Sequence, residues 1–230
     1  MFDVLVSLLD LDHRQVLDAG CGIGDLARPL AARVDRVDAV DPSAAMLHQG
    51  RAMPGGDSAN LRWIRGGVED APLDPPYGLI VCGDSVHWFD WPVALPLFSR
   101  SLTAGGQLAL VQRSWLNEPG LRELVVPIYQ RHGANPDFEP RGPVQELERR
   151  ALFHPVGQRS IGPLPWRPTM AALLDCLHSQ NGFVIEKMAD PDGFDREIAN
   201  EVDRSAAKDA SGAYELTMSV TITWGRPLSP

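Results

Sequence analysis

Short apolar runs alternate with amphipathic segments through the first half of the chain. The runs have the length of buried strands, and most of the segments between them carry apolar residues at helical spacing. Strands separated by helices predict parallel β-α-β units with right-handed crossovers and helices on both faces of the sheet. The predicted strands are 15–19, 36–40, 61–64, 77–82 and, after a turn at 104–106, 107–112, and the predicted helices are 25–33, 43–51 and 91–102.

The regular alternation of strands and helices ends after Arg113. Further along, a proline- and glycine-rich stretch at 135–143 interrupts the pattern. Two more strands are predicted at 153–160 and 214–224, and the second, YELTMSVTITW, alternates strongly between apolar and polar residues. Helical spacing is found at 121–132, 145–151, 169–179 and 195–207. The sequence therefore predicts one domain, 1–230, with a regular half at 1–113 and an irregular half at 114–230.

Composition narrows the class of protein. A chain of 230 residues with 44% hydrophobic residues can bury a substantial core. Its formal net charge of −9 repels phosphate backbones and anionic lipid, so neither nucleic acid nor a membrane is expected as a partner. No run approaches the roughly 20 apolar residues of a membrane span, and the N-terminal segment lacks the features of a signal peptide. Cys21, Cys82 and Cys176 show neither metal-binding nor disulfide spacing. These observations predict a cytoplasmic protein without a metal site.

The strongest local signal is VLDAGCGIGD, in which a buried strand runs into Gly20, Gly22 and Gly24. Glycines allow positive φ and close approach of a ligand, and a following helix start offers N–H groups. The structural alternative is a strand-to-helix corner, which needs only one glycine. The third glycine comes one residue too early for the dinucleotide fingerprint. Asp18, just before the loop, would repel a pyrophosphate and attract the cationic end of S-adenosylmethionine, so the loop favours that cofactor over NAD.

Asp41 is the second candidate ligand-binding residue. It ends the second predicted strand, 17 residues after Gly24, close to the spacing of roughly 20 for an acid that binds ribose hydroxyls. The alternative is that Asp41 is a helix N-cap, because Asp-Pro-Ser often opens a helix. Ser43 can provide the cap instead, so the two interpretations are compatible.

Five segments together resemble the successive motifs of class I S-adenosylmethionine-dependent methyltransferases: VLDAGCGIG, VDAVDPSAAML, GGVEDAPL, LIVCGDSVHWFD and LTAGGQLALV. The HWFD segment, 87–90, is similar to the branch that contains trans-aconitate methyltransferase-like enzymes. The resemblance covers nearly the whole chain and implies an α/β, Rossmann-like three-layer sandwich. Its seven-stranded, mostly parallel sheet would have the order 3-2-1-4-5-7-6, with strand 7 antiparallel.

The same resemblance implies where the cofactor lies. The loop 20–24 would face the methionine part, Asp41 the ribose, Met46 the adenine plane, and the segment after the fourth strand the methionyl amine and carboxylate. The residues implied in cofactor binding are Asp18, Gly20, Cys21, Gly22, Gly24, Asp41, Pro42, Met46, Val68, Glu69, Gly83 and Asp84.

Two departures from the family pattern affect this assignment. Relatives often carry Asp at the position of Gly67, where it holds the adenine amine, so Glu69, Asp70 or the backbone would have to replace it. Relatives usually carry an additional N-terminal segment that folds over the active site. We therefore expect either a more open pocket or a true start that lies upstream.

Candidate catalytic and substrate residues follow the fourth strand and lie in the irregular half. His87 is the candidate general base, because ligands bind at strand ends in open α/β sheets; alternatively it caps a turn or packs beneath Trp88. Aromatic residues can wall a substrate site or simply pack in the core, and an arginine can bind a carboxylate or remain solvated. The substrate candidates are Trp88, Arg113, Trp115 and Trp166.

These residues predict transfer of a methyl group from S-adenosyl-L-methionine to an oxygen, nitrogen or carboxylate nucleophile of a small molecule, leaving S-adenosyl-L-homocysteine. The protein is expected to be a monomer or a homodimer. One alternative is an inactive cofactor-binding module or partner subunit. Another is an NAD-dependent oxidoreductase, which the glycine spacing disfavours.

Overall fold

One mixed sheet organises the seven strands. The computed structural model describes residues 1–10, 12–115, 121–132, 142–179 and 185–228. The strand order is β3-β2-β1-β4-β5-β7-β6, and β7 is antiparallel, which confirms the expected Rossmann-like α/β fold. The strands are β1 (Gln15–Ala19), β2 (Arg36–Asp41), β3 (Leu61–Arg65), β4 (Tyr77–Gly83), β5 (Leu102–Trp115), β6 (Phe153–Trp166) and β7 (Leu216–Pro227).

Helices connect these strands, and the described residues also include two short 3-10 turns, Val86–Trp88 and Ile185–Lys187. The helices are α1 (Phe2–Ser7), α2 (Ala27–Ala31), α3 (Ala44–Ala52), α4 (Trp91–Ser101), α5 (Leu121–His132), α6 (Pro143–Arg149), α7 (Met170–His178) and α8 (Pro191–Ser205). Among the described residues no helix is both long enough and apolar enough to cross a membrane.

The largest difference from the predicted elements is in β5. The turn expected at 104–106 lies within the strand, which begins at Leu102 and pairs with β4 across an irregularity between Tyr77 and Leu79. The Arg226 guanidinium donates to the carbonyls of this irregular stretch, to Thr103 at 3.1 Å and to Ala104 at 2.6 Å. A partner more than 100 positions away therefore satisfies backbone groups that would otherwise favour a turn.

Other elements differ at their ends. The helix predicted at 25–33 is confined to Ala27–Ala31, because residues 22–26 form a series of turns. Strands β6 and β7 continue beyond the predicted 160 and 224, to Trp166 and Pro227. Helix α8 begins at Pro191 rather than 195, because the Asp190 carboxylate caps it by accepting the Gly193 N–H at 2.9 Å.

Contacts divide the chain into two compact units. The first comprises Met1–Gln112, Gly142–Arg159 and Thr221–Pro230. Its core surrounds the inner strands and includes Leu17, Ile80, Phe98, Leu108 and Leu147. The predicted division at 113 stays a prediction; the structure adds that parts of β6 and β7 belong with the regular half.

The second unit comprises Arg113–Arg141 and Ser160–Val220. Its core is formed by α5, α7 and α8, and Phe194 is fully buried within it. Paired side chains connect these helices: His132 Nε2 lies 3.0 Å from Glu197 Oε1, and His178 Nε2 lies 2.8 Å from Asp195 Oδ1.

Candidate functional site

The carboxyl ends of three parallel strands place the predicted binding residues at one edge of the sheet. In the register of β1, Ala19 lies beside Val40 of β2, and Asp18 lies beside Val81 of β4. The loops that follow these strands therefore emerge together. In open α/β sheets this edge is where ligands bind.

All three glycines of the loop have a positive φ, and close packing also surrounds the two at its ends. A Cβ on Gly20 would lie 2.5 Å from Ser85 Cβ, and one on Gly24 would lie 2.4 Å from Trp63 Cη2. Both positions therefore exclude a side chain. Gly22 has φ of +55°, and a Cβ there would meet no described atom within 4 Å. Its surroundings are open, so a ligand can approach the backbone closely at this position.

Asp41 ties the glycine loop to the end of β2. Its Oδ2 accepts the Gly22 N–H at 2.9 Å, and its Oδ1 accepts the Ser43 N–H at 2.8 Å. Ser43, not Asp41, is the side-chain cap of α3, because its hydroxyl accepts the Met46 N–H at 3.3 Å. The half-buried carboxylate keeps further lone pairs, so it can accept hydroxyl groups in addition to these two donors.

Asp18 is a buried carboxyl with incomplete hydrogen bonding. It is 1% exposed. Burial raises its pKa to about 7, a bond from the Ala27 N–H opposes that rise, and the Asp41 and Asp25 carboxylates add to it. No donor among the described residues reaches Oδ2. Because native proteins rarely leave such an atom unsatisfied, this oxygen is a candidate acceptor for a cationic ligand.

The segment after β4 carries His87 on the turn Val86–Trp88. β4 ends at Gly83, and the segment begins with Asp84, which has φ of +49° and donates its N–H to the Val111 carbonyl at 2.9 Å. Burial lowers the pKa of His87, and the Asp84 carboxylate opposes that shift. A mostly neutral imidazole at neutral pH follows from this environment.

Trp88 lies beside His87, and the two ring centroids are 5.3 Å apart. The indole is 49% exposed, which is unusual for a tryptophan. The structure thus supports the alternative that His87 packs against Trp88, and this contact is compatible with a role for His87 as a base.

The segment after β3 borders the same edge. Glu69 Oε1 accepts the Asp90 N–H at 2.9 Å, and Oε2 lies 3.1 Å from the place of a Cβ on Gly67. The Glu69 carboxylate therefore occupies the space next to the missing side chain at 67. Val68 is buried, and Met46 is 46% exposed.

Two other predicted cofactor residues contribute less distinctive contacts. Cys21 is buried, its Sγ lies 3.7 Å from the Gly22 carbonyl oxygen, and burial raises the pKa of its thiol. Pro42 is exposed between the end of β2 and the cap of α3.

The predicted substrate residues do not form one described group. Trp88 belongs to the first unit, whereas Arg113 and Trp166 belong to the second. Trp166 packs against the core of that unit, and Arg113 is exposed. The side chain of Trp115 lies outside the described residues. A substrate site built from these four residues remains a prediction.

Sequence reasoning missed residues that support the loops from behind. The Arg28 guanidinium donates to the Ile23 carbonyl at 3.1 Å and to the Pro54 carbonyl at 3.1 Å, which fixes the turns after the glycine loop. The buried Ser85 hydroxyl donates to the Ala19 carbonyl at 2.6 Å. Only Ser85 had a usable signal, a polar residue two positions after a buried strand. Among the described residues, no group of three potential metal ligands occurs.

Comparisons with known proteins agree with this geometry. Residues 16–106 match the family model described as a methyltransferase domain. The chain is 34% identical over 113 residues to an uncharacterised methyltransferase from Mycobacterium tuberculosis, covering 48% of this chain and 56% of that protein. The chain therefore spans about half the length of the curated relatives it matches.

Solved structures with the same fold cover most of the chain. A protein from Anaeromyxobacter dehalogenans, considered a type II methyltransferase, has a TM-score of 0.65 and 23% identity, with 98% of this chain and 94% of that chain covered. An S-adenosylmethionine-dependent methyltransferase from Thiobacillus denitrificans, solved with S-adenosyl-L-homocysteine, has a TM-score of 0.55 and 14% identity, with 99% and 90% covered.

Proposed function

We propose that this chain is a class I S-adenosylmethionine-dependent methyltransferase. It would transfer a methyl group from that cofactor to a small molecule. The net charge of −9 supports a small acceptor over nucleic acid. The similarity of the segment 87–90 to the trans-aconitate methyltransferase-like branch makes a carboxylic acid the first acceptor to test.

The strongest support for the proposal comes from the buried carboxyl of Asp18. Asp18 is buried directly before the glycine loop, and no described donor reaches its Oδ2. An ammonium group, directly or through a water molecule, would satisfy that oxygen and favour its ionised form. A dinucleotide pyrophosphate would instead place negative charge beside this carboxyl, so the same observation disfavours NAD.

The remaining residues fit the other parts of the cofactor. Gly22 allows close approach, and Asp41 has lone pairs left for the ribose hydroxyls. Met46 offers an exposed apolar surface for the adenine plane, and Glu69 Oε2 offers an acceptor for the adenine amine above Gly67. This use of Glu69 would replace the side chain that relatives often carry at position 67.

S-adenosylmethionine supplies a methyl group that its sulfonium already activates. The chain has to bind and orient the two molecules and exclude water, since proximity and orientation lower the barrier. His87, kept mostly neutral by burial, can accept the proton of a hydroxyl or ammonium acceptor. A carboxylate acceptor needs no base, so the dependence on His87 will differ between acceptors.

Calorimetric titration tests the cofactor assignment. We expect S-adenosylmethionine and S-adenosyl-L-homocysteine to bind and NADH not to bind. Absence of binding by both adenosyl ligands would overturn the proposal. A protein that binds them but never transfers a labelled methyl group to a panel of carboxylic acids, phenols and amines would instead be an inactive binding module.

The same proposal includes the cellular compartment and the oligomeric state of the protein. We expect a cytoplasmic monomer or homodimer. None of the three cysteines forms a disulfide within the described residues, which is compatible with a reducing compartment. Light scattering on the purified chain measures the oligomeric state.

A further inference from the structure

The turn that carries His87 is anchored at its start by local contacts. The Ser85 hydroxyl donates to the Ala19 carbonyl at 2.6 Å. The Trp91 indole N–H donates to the Val86 carbonyl at 2.7 Å, which ties the turn to the first residue of α4. Neither bond involves the backbone N–H of Asp90, the residue that joins the turn to α4, and another partner accepts that N–H.

That partner is Glu69, which lies 21 positions earlier in the chain. Its Oε1 accepts the backbone N–H of Asp90, the residue directly before α4, at 2.9 Å. The Asp90 side chain makes no capping hydrogen bond. In a capping box a Glu or Gln of the first helical turn accepts this N–H, but the third helical residue here is Val93. Glu69 therefore supplies from outside the helix an acceptor that α4 lacks.

The Glu69 carboxylate also lies close to Gly67, within the segment that follows β3. That segment is a tight turn, in which the Ala71 N–H donates to the Gly67 carbonyl at 3.0 Å. Glu69 Oε2 lies 3.1 Å from the place of a Cβ on Gly67. One side chain thus connects the loop expected to receive adenine with the turn that carries His87.

We propose that Glu69 is a positioning residue for His87, which it holds in place through the Asp90 N–H. The inference rests on the proposed function for the role of His87, but the positioning itself concerns only this chain. When the Glu69 bond is absent, the turn before α4 opens more often, and the His87 ring is more often exposed to water.

Two single variants remove the bond from opposite sides. Glu69→Ala removes the acceptor. Asp90→Pro removes the donor and suits the local backbone, because Asp90 has φ of −74° and the preceding Phe89 has ψ of 152°. Glu69→Gln keeps an acceptor oxygen and serves as the conservative rescue. Glu148→Ala is the matched control, because Glu148 is an exposed glutamate on α6 of the same unit.

Hydrogen exchange on the protein without cofactor measures the opening. The amides of Trp88 and Phe89 donate within the turn, to Ser85 at 2.9 Å and to Val86 at 3.3 Å, so they report its opening directly. We expect about tenfold faster exchange in Glu69→Ala and in Asp90→Pro, the size typical of a lost helix-end bond. The double variant should exchange no faster than the single ones, because both remove the same interaction.

Proton NMR titration of the imidazoles gives a readout that a general loss of stability would not produce. The pKa of His87 lies below its ordinary value of 6.5 because the ring is buried. It should move upward toward that value in Glu69→Ala and Asp90→Pro and stay unchanged in Glu69→Gln and Glu148→Ala. His87→Gln identifies the resonance among the six histidines.

The outcomes separate this inference from the proposed function. Unchanged exchange and an unchanged His87 pKa in Glu69→Ala would overturn the positioning role, even if the cofactor binds. If Glu69→Ala fails to fold, Asp90→Pro with Glu69→Gln decides the question by the same two readouts. Failure of the proposed function would appear separately, as absence of S-adenosyl-L-homocysteine binding by the unaltered protein.

Discussion

Two aspartates on neighbouring strands are almost equally buried but differ in their hydrogen bonding. Asp38 on β2 is 0% exposed and Asp18 on β1 is 1% exposed. Asp38 accepts two bonds from Arg62, at 2.9 and 2.7 Å, and one from the Tyr77 hydroxyl at 2.5 Å. Asp18 accepts the Ala27 N–H, and no donor in the described part of the chain reaches its Oδ2.

The difference separates a carboxylate that the fold itself supplies with donors from a carboxyl that, in the proposed function, accepts a ligand. The partners of Asp38 are supplied by the chain itself, so both of its carboxylate oxygens are hydrogen-bonded as soon as the strands assemble. The ionised form of Asp18 has no such compensation, which is why burial raises its pKa to about 7. A cationic ligand would provide the compensating charge that the fold does not supply to Asp18.

The largest expected effect comes from removing Asp38, the carboxylate whose two oxygens both accept hydrogen bonds from the chain. Asp38→Ala leaves the Arg62 guanidinium and the buried Tyr77 hydroxyl without their acceptor, and we expect a loss of about 3 kcal/mol in the free energy of unfolding. Urea denaturation measures it. Asp74→Ala, which breaks the exposed pair with Arg36, should cost less than about 1 kcal/mol. Equal costs for the two variants would contradict the structural role of Asp38.

Asp41→Ala should have the next largest effect, on cofactor binding. The variant removes the acceptor of the Gly22 N–H and the proposed ribose ligand, so affinity for S-adenosyl-L-homocysteine should fall by about 2 kcal/mol, measured by calorimetry. Ser43→Ala is the control, since it removes the α3 cap but keeps the N–H that binds Asp41. Unaltered affinity in Asp41→Ala would remove this residue from the site.

Asp18→Asn should stabilise the protein without cofactor and weaken cofactor binding. The pKa of Asp18 is raised from 3.8 to about 7 on folding, so folding takes up a proton between these values. The unaltered protein therefore loses stability as pH rises through this range, and the penalty is complete above pH 7.

The neutral amide avoids that penalty but leaves its own buried N–H groups incompletely bonded. We therefore expect a net gain of about 1–2 kcal/mol above pH 7, which disappears as pH falls toward 3.8. Thermal unfolding across pH measures it. A gain that does not depend on pH, or undiminished affinity for S-adenosyl-L-homocysteine, would show that Asp18 carries no unsatisfied charge for the ligand.

The smallest expected effect is that of Gly22→Ala. A non-glycine residue at φ of +55° costs about 1 kcal/mol in stability, and the added methyl group would occupy the open space in front of the loop. Gly212→Ala is the matched control, because Gly212 has φ of +86° and also meets no described atom within 4 Å. Both variants should be similarly destabilised, and only Gly22→Ala should lose affinity for S-adenosyl-L-homocysteine.

Local patterns were sufficient to predict the order of strands and helices. Strand β1 has the predicted bounds, Gln15–Ala19, because a buried parallel strand leaves a short, mainly apolar run. Helix α7 differs from its prediction by one residue at each end, since Thr169 is an evident cap whose hydroxyl accepts the Ala172 N–H at 3.2 Å. The prediction was weakest in β5, where Arg226 satisfies an irregular stretch from far along the chain.

The sequence by itself determined the α/β class, the glycine loop and the presence of Asp18 and Asp41 at neighbouring strand ends, because periodicity and short motifs record local conformation. Only the tertiary structure decided which buried carboxyl is saturated, and it also placed Glu69 against Asp90. Hydrogen-bond partners brought together from 21 to 39 positions away leave no local pattern. Their pairing is settled only when strands and helices pack and each buried polar group finds a donor or is left for a ligand.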